Sequence, residues 1–206
     1  MVIGKWHLIN SSTLILFLFI SCSSPVDEHK ISVEKKEYAK YKSGDIILRL
    51  ENGLVSEIFR KIATKQGDFS HAGILINENS VVYVYHTQID DGSSNGFARK
   101  DKLETFLLNA TKYAVYRFEG TIDTISVIAN LNGYVQRKIP FDVNFDYTDT
   151  STLYCTQMVA SAYNNSNSSI NKIRPQTKIY GKTGYSIDDI IKNASLVNFE
   201  KVYEEK

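Results

Sequence analysis

The sequence has only three prolines and two cysteines among 206 residues, and its formal net charge is +1. So balanced a charge gives no electrostatic reason to expect a nucleic acid as partner. The scarcity of proline argues against long disordered linkers. The sequence has no internal repeat, no phosphate-binding glycine motif and no closely spaced pair of histidines for zinc. We therefore expect neither a cofactor nor a metal.

The residues that are present suit one globular domain. Apolar residues make up 43% of the chain and charged residues 23%, which is ordinary for such a domain. The length allows a single domain with a sizeable core. Helical segments alternate irregularly with neighbouring strands. This order predicts an α+β fold with a mainly antiparallel sheet packed against helices, rather than a doubly wound parallel sheet.

The N-terminal segment predicts export. Lys5 supplies a positive charge, and 14–20 is an unbroken apolar run that suits a signal peptide but is too short to span a bilayer as a helix. Ser21 and Cys22 follow directly and resemble a bacterial lipoprotein signal, in which the cysteine becomes the lipid-modified first residue. An ordinary signal peptide cut nearby, or a signal anchor, is the alternative. The predicted organisation is a signal peptide at 1–21, a polar tether at 22–41 and a folded domain at 42–206.

Hydrophobic periodicity predicts the elements of this domain. The predicted helices are 54–66, 122–138 and 154–163, and the predicted strands are 46–50, 72–76, 81–86 and 113–118. The second and third strands form a hairpin. We expect Asp101 to cap a short helix that reaches Leu108, and Ser186 with Asp189 to form a capping box.

Cys155 is a candidate nucleophile. If Cys22 is acylated, Cys155 is the one free thiol of an exported protein, which suggests reactivity or intermolecular pairing, although a small buried apolar residue is the alternative. Cys155 lies at the start of the predicted helix 154–163. The partial positive charge and unpaired N–H groups of a helix N-terminus stabilise a thiolate and can bind an oxyanion. We therefore expect a lowered pKa and rapid labelling by thiol probes at neutral pH.

Two histidines are placed to serve this nucleophile. His71 opens the first strand of the hairpin and His86 ends the second, so both lie near the same end of it. One can take the proton from Cys155 while the other orients it through the second ring nitrogen. Taken singly, each histidine is equally well explained as a polar residue at a strand end. Tyr154 and Thr156 are candidate substrate or oxyanion contacts, with packing as the alternative for Tyr154.

Three acidic residues precede the nucleophile, at Asp142, Asp146 and Asp149. Their spacing could suit calcium, but no glycine and no bidentate glutamate complete a binding loop. Turn formation and helix capping are the expected roles.

Three motifs occur in an informative order: Ser43-Gly44-Asp45-Ile46-Ile47, then Ser70-His71-Ala72-Gly73-Ile74, then Tyr154-Cys155-Thr156-Gln157-Met158-Val159. Together they resemble the circularly permuted branch of the NlpC-type papain-like superfamily, the YiiX-like proteins. In that branch the histidine strand precedes the cysteine helix, and the resemblance covers about 42–191.

The resemblance implies the nucleophile at Cys155, the base at His71 and the third, polar residue at His86, where the YiiX-like branch often has Glu. Thr156 and Gln157 also depart from the branch, which often has Ser and Glu there. The implied chemistry is thiol-based hydrolysis or transfer at an amide, ester or thioester, without a cofactor.

Combined with the export signal, this predicts a lipid-anchored cysteine amidase of the bacterial cell envelope, on the periplasmic or outer-membrane face, that cleaves cell-wall (peptidoglycan) peptides. A lipid or acyl-group hydrolase or acyltransferase is the second hypothesis, and a non-catalytic envelope binding module is the third. Residues 89–99 and the patch around Asn164 are expected to shape the pocket.

Overall fold

The structure is a computed structural model that describes residues 35–63, 67–89, 95–167, 172–192 and 196–203. The predicted signal peptide, Cys22 and most of the predicted tether lie outside the described residues. Within the described ranges, no helix combines the length and the apolar character needed to cross a membrane.

An antiparallel sheet forms the centre of the described part of the chain. Its six strands lie in the order β4-β3-β2-β1-β5-β8, and each neighbouring pair is antiparallel. A separate two-stranded sheet joins β6 to β7. The strands are β1 (Asp45–Glu51), β2 (His71–Glu78), β3 (Val81–Ile89), β4 (Gly96–Lys102), β5 (Ala110–Phe118), β6 (Thr177–Ile179), β7 (Lys182–Gly184) and β8 (Leu196–Tyr203). The predicted α+β class with a mainly antiparallel sheet is confirmed.

The helices lie on both faces of this sheet. They are a 3₁₀ helix (Lys35–Lys40), α1 (Leu54–Ala63), α2 (Leu103–Leu107), α3 (Thr124–Gln136), α4 (Cys155–Asn164) and α5 (Ile187–Ile191). The predicted capping box at α5 is confirmed, because Ser186 Oγ accepts the Asp189 N–H at 3.0 Å and an Asp189 carboxylate oxygen accepts the Ser186 N–H at 2.9 Å. This exchange satisfies two N–H groups that the helix start would otherwise leave unpaired.

The alternation of side chains along the strands creates two apolar layers. Ile46, Leu48, Ala72 and Ile74 belong to the layer that packs against α3 and α4. The opposite layer contains residues of the sheet, of α2 and of the 3₁₀ helix, among them Tyr38 and Tyr41, which are 6% and 1% exposed. The packed part of the chain therefore includes the end of the predicted tether and begins before residue 42.

The expected helix cap at Asp101 is wrong. Asp101 lies inside β4, and α2 follows with Lys102 at its N-cap position and without a side-chain capping bond. Strand β4 reads GFARKDK, in which charged residues outnumber apolar ones. The usual alternation of a half-buried strand is therefore missing from the sequence.

Candidate active site

Cys155 is the first residue of α4, as predicted. Gln157 holds this helix start in place: its Oε1 accepts the Tyr154 N–H at 3.3 Å, and its Nε2 donates to the Asp149 carbonyl at 3.0 Å. The Cys155 side chain is 2% exposed. The backbone N–H groups of Ala72, Thr156 and Cys155 itself act to lower the pKa of this thiol. Since Ala72 is the second residue of β2, α4 places the thiol at the start of that strand.

The two histidines of the hairpin are in contact. His71 Nε2 lies 3.0 Å from His86 Nδ1, and the two rings are perpendicular, with centroids 5.1 Å apart. The ladder between β2 and β3 runs from the pair Glu78/Val81 to the pair Ile74/Tyr85. Both histidines lie beyond this ladder, at the open end of the hairpin. The structure thus brings His71 and His86 together, as their strand positions predicted.

Gly73 explains how the two strands approach so closely beside the histidines. A Cβ atom at this position would lie 2.4 Å from Val84 Cγ1, 3.1 Å from the Tyr85 carbonyl oxygen and 3.4 Å from His86 Cβ. Carbon atoms that are not bonded normally approach to about 3.5–4.0 Å. Glycine is therefore required at this position of the second motif because any side chain would push β3, and His86 with it, away from β2.

Asp101 is a site residue that the sequence did not reveal. Its Oδ2 lies 3.0 Å from His86 Nε2 and 2.9 Å from Arg99 Nε. Asp101 pairs with Val84 in the β3–β4 ladder, two residues before His86 on the same face of β3. Asp101 could have been found from the sequence only by recognising strand β4 and its register with β3.

Arg49 is a second unpredicted residue of the site. It pairs with His71 in the β1–β2 ladder and is 2% exposed. Its guanidinium lies 2.8 Å from Glu51, donates to Gln88 Oε1 at 2.9 Å and to the Phe106 carbonyl, and stacks 3.9 Å from the centre of the Phe106 ring. The same ring contacts both imidazoles, with centroids 5.6 Å from His71 and 5.0 Å from His86. A buried positive charge therefore stands beside the histidine pair.

Burial dominates the ionisation of these groups. It raises the pKa of the Cys155 thiol to about 11, against the weaker opposing effects of the backbone N–H groups and of the Arg49 charge. Burial, with the Arg49 charge second, lowers the pKa of His71 well below its usual value. Burial also lowers the pKa of His86 to about 4, although the hydrogen bond to Asp101 opposes this shift. At neutral pH the site therefore holds a neutral thiol and two neutral imidazoles.

The expected lowering of the thiol pKa is therefore wrong for this state of the protein. The N–H groups of Cys155 and Thr156 at the helix start, and that of Ala72 on β2, lower the pKa of the thiol, but the loss of hydration of the thiolate raises it by more.

The side chains of Tyr154 and Thr156 are engaged with the backbone of Tyr185. Both are fully buried and bind the backbone of Tyr185: the Tyr185 N–H donates to Tyr154 Oη at 2.7 Å, and Thr156 Oγ1 donates to the Tyr185 carbonyl at 2.6 Å. Their expected substrate or oxyanion roles stay predictions, and the burial of Tyr154 agrees with the packing alternative. They fasten the segment before α5 to the start of α4.

The acidic residues before Cys155 shape the turns of their loop, as expected. Asp142 accepts the N–H groups of Asn144 and Asp146 at 2.8 and 2.6 Å. Asp146 and Asp149 accept the hydroxyls of Thr148 and Ser151, each at 2.6 Å. Among the residues that the structure describes, no group of three or more His, Cys, Asp or Glu side chains could hold a metal ion.

The two segments expected to shape the pocket are described only in part, because 90–94 and 168–171 lie outside the described residues. The side chain of Asn164 is engaged with the backbone of Ile173, donating to its carbonyl and accepting its N–H, both at 2.8 Å. Asn164 therefore closes a loop at the end of α4.

Comparison with known proteins places this chain in a family. Residues 40–204 match the family model described as permuted papain-like amidase enzyme, YaeF/YiiX, C92 family. The fold is similar to a crystal structure described as metalloprotein YiiX from Escherichia coli O157:H7, with a TM-score of 0.63 and 20% identity over 79% of this chain and 98% of that chain. No curated protein matched. Because the family model covers most of the sequence, the chain belongs to the permuted papain-like amidases of the YaeF/YiiX type, a family of cysteine hydrolases.

Proposed function

We propose that Cys155 is the nucleophile of this hydrolase, that His71 is its general base and acid, and that His86 orients His71. One observation carries the proposal: the backbone N–H of Ala72 lies close enough to the thiol at the start of α4 to lower its pKa, and Nε2 of His71, the residue before Ala72, lies 3.0 Å from His86 Nδ1. The proposal requires His71, from the strand position next to Ala72, to exchange a proton with the sulfur, so that nucleophile, base and orienting group act as a nucleophilic triad. Because Nε2 of His71 faces His86, its Nδ1 is the nitrogen that exchanges the proton with Cys155.

The reaction starts from the neutral pair. As Cys155 Sγ attacks the carbonyl carbon of an amide, its proton passes to His71 Nδ1, and the carbonyl π electrons move to the oxygen. Backbone N–H groups at the start of α4 stabilise the oxyanion. His71 then protonates the departing amine, the C–N bond breaks and a thioester forms on Cys155. Water, deprotonated by His71, attacks the thioester and releases the acid and the thiol.

Because Cys155 and His71 are both neutral at rest, the reactivity of the thiol should depend on a bound substrate. A buried thiolate is costly, so the proton transfer is coupled to the attack on the carbonyl rather than completed beforehand. Burial keeps His71 unprotonated at neutral pH, and therefore able to accept a proton. We expect slow alkylation of the resting enzyme by small thiol reagents, together with efficient acylation by a bound substrate.

We propose peptides of the bacterial cell wall as the substrate. The amidase family supports an amide bond as the scissile bond. The sequence pattern of 1–24 supports export and acylation of Cys22, which would hold the enzyme on the membrane of the cell envelope, on the periplasmic or outer-membrane side, within reach of the wall.

The reaction is tested with the purified full chain on isolated cell-wall sacculi, and in parallel on phospholipid vesicles. New amino groups and the mass of the acyl group trapped on the protein are measured. Wild type should release amines from sacculi, and Cys155→Ala should release none. Ser151→Ala, a similarly small change at an exposed position of the preceding loop, is the matched control and should retain activity. Acyl transfer from the vesicles alone would replace the cell-wall proposal with the lipid alternative, and the absence of any adduct on Cys155 would refute the nucleophile.

The anchor is tested by cell fractionation, for which the two cysteines of the chain are natural controls for each other. Cys22→Ala should move the protein from the membrane to the soluble or unprocessed fraction, whereas Cys155→Ala should leave it in the membrane. If both variants partition like wild type, lipid attachment at Cys22 is excluded.

A further inference from the structure

A chain of hydrogen bonds extends the site beyond the two histidines. His71 Nε2 lies 3.0 Å from His86 Nδ1, and His86 Nε2 lies 3.0 Å from Asp101 Oδ2. The two imidazoles are 8% and 1% exposed, so bulk water has little access to these contacts. Arg99 Nε lies 2.9 Å from the same carboxylate oxygen.

The ionisation of Asp101, the last group of this series of hydrogen bonds, decides which ring nitrogen of each histidine carries the proton. An ionised carboxylate can only accept hydrogen bonds. Arg99 and His86 both stabilise the charged form and lower the pKa of Asp101, the hydrogen bond from His86 being the larger cause. Asp101 is therefore an acceptor at neutral pH, and His86 Nε2 must carry a proton.

The position of the proton on His86 in turn determines its position on His71. A neutral imidazole has one N–H, so a proton on His86 Nε2 leaves Nδ1 as an acceptor. The contact between the histidines then requires that His71 Nε2 carry a proton and donate it. His71 Nδ1 is left with its lone pair, and this is the nitrogen that must receive the proton of Cys155.

We infer that Asp101 is a positioning residue that sets the tautomers of both histidines and so keeps His71 Nδ1 ready to accept a proton. The inference builds on the proposed function, because it explains how a base two hydrogen bonds away is prepared. Asp101 acts through His86, which its Oδ2 contacts at 3.0 Å, and not on the reacting atoms.

The opposite arrangement is chemically possible, and Asp101 selects against it. If a donor replaced the carboxylate, His86 Nε2 would accept, Nδ1 would carry the proton, and His71 Nε2 would have to accept in turn. The proton of His71 would then lie on Nδ1, the nitrogen to which the proposed function assigns the proton of Cys155. The thiol could no longer be deprotonated by this nitrogen without a rearrangement of both rings.

Asp101→Asn is the informative variant because its amide can donate to His86 Nε2 while the size of the side chain is kept. Asp101→Glu keeps an acceptor and is the conservative rescue. Lys100→Gln is the matched control: it lies next to Asp101 on the same strand, but it points to the other face and pairs with Glu78 at 2.6 Å.

The tautomers are read directly by long-range ¹H–¹⁵N correlation of the full chain labelled with ¹⁵N-histidine at neutral pH. The sequence contains four histidines, and single His→Gln variants assign the two of the site. Wild type, Lys100→Gln and Asp101→Glu should show both rings protonated on Nε2. Asp101→Asn should show both rings protonated on Nδ1. A wild-type His71 that carries its proton on Nδ1, or a His71 whose tautomer is the same in Asp101→Asn, overturns the inference.

Kinetics provide the second reading. With any substrate that the wild type cleaves, Asp101→Asn should lower kcat by about 100-fold or more, with little change in KM, since loss of a correctly protonated base typically costs about 10²–10⁴-fold. An unchanged kcat in a variant with inverted tautomers also overturns the inference. The spectra require no substrate. Failure of the proposed reaction would leave the wild-type tautomers as expected, whereas failure of the inference would show in the spectra of an active enzyme.

Discussion

Replacement of Gly73 by alanine should damage both the stability of the fold and the pairing of the two histidines. The new methyl carbon would lie 2.4 Å from Val84 Cγ1, more than an ångström inside a normal contact. Val84 is fully buried, and the backbone oxygen of Tyr85 blocks another direction at 3.1 Å. The side chain of Val84, and with it the backbone of β3, must therefore shift to relieve the strain.

The size of the effect follows from the cost of overpacking a core, about 1–3 kcal/mol. For a domain of this size, each kcal/mol lowers Tm by about 2–4 °C, so we expect a fall of about 2–12 °C. His86 lies on the displaced strand, 3.4 Å from the new carbon. A shift near 1 Å would lengthen its 3.0 Å contact with His71, and such a misplacement can cost up to about 100-fold in rate.

Gly133→Ala is the matched control, with an effect of opposite sign. Gly133 lies within α3, and a methyl group added there would meet no other group within 4 Å. Alanine is favoured over glycine within a helix by about 0.5–1 kcal/mol, so Tm should rise by about 1–4 °C, with activity unchanged. Scanning calorimetry and steady-state kinetics measure both variants. A Gly73→Ala protein as stable and as active as wild type would refute the argument from close approach.

Three further predictions concern the buried polar groups around the site. Thr87 Oγ1 is buried and has no hydrogen-bond partner within the described part of the chain. Because a buried unpaired hydroxyl costs about 1–3 kcal/mol of stability, Thr87→Val should keep Tm or raise it by a few degrees. A clear fall in Tm would show that the hydroxyl is bound. Burial holds the pKa of His86 near 4, so the folded state resists protonation and its stability should be lost as pH falls from about 6.5 to 4. His86→Gln should reduce that loss by about 3 kcal/mol in urea titrations at the two pH values, and an unchanged pH dependence contradicts the shift. Tyr154→Phe leaves the Tyr185 N–H without its 2.7 Å acceptor and should lower the free energy of unfolding by about 1–3 kcal/mol. Tyr180→Phe, at a residue 64% exposed, should change it by less than about 0.5 kcal/mol. Equal effects of the two substitutions would rule out a specific bond at Tyr154.

Features that depend on neighbours in the sequence were predicted with good accuracy. The hairpin that carries the histidines has its turn at Asn79 and Ser80, both at positive φ, close to where the turn-like residues indicated. Helix α4 begins at Cys155, as its position after a turn-rich segment indicated. Turn and helix signals are local, so they can be read from a single stretch of chain.

Strand β4 could not be recognised in the same way, and Asp101 was missed with it. An edge strand with few apolar residues has no alternating pattern, and its register with β3 is a property of the pair of strands. Arg49 was missed for a related reason: a cation in a strand is normally exposed, and its burial follows from α2 and Phe106 covering it.

The sequence by itself determined which residues are available for the chemistry and in what order they occur: a cysteine at a helix start, preceded by two histidines at one end of a hairpin. Only the tertiary structure decided their protonation and their extended network. Helix α4 and the sheet bury Cys155 to 2% exposure, and this desolvation outweighs the helix start and raises the pKa of the thiol. Desolvation and proton position are set by groups that are distant in sequence and close in space, such as Arg49 and Asp101, and local sequence patterns do not contain that information.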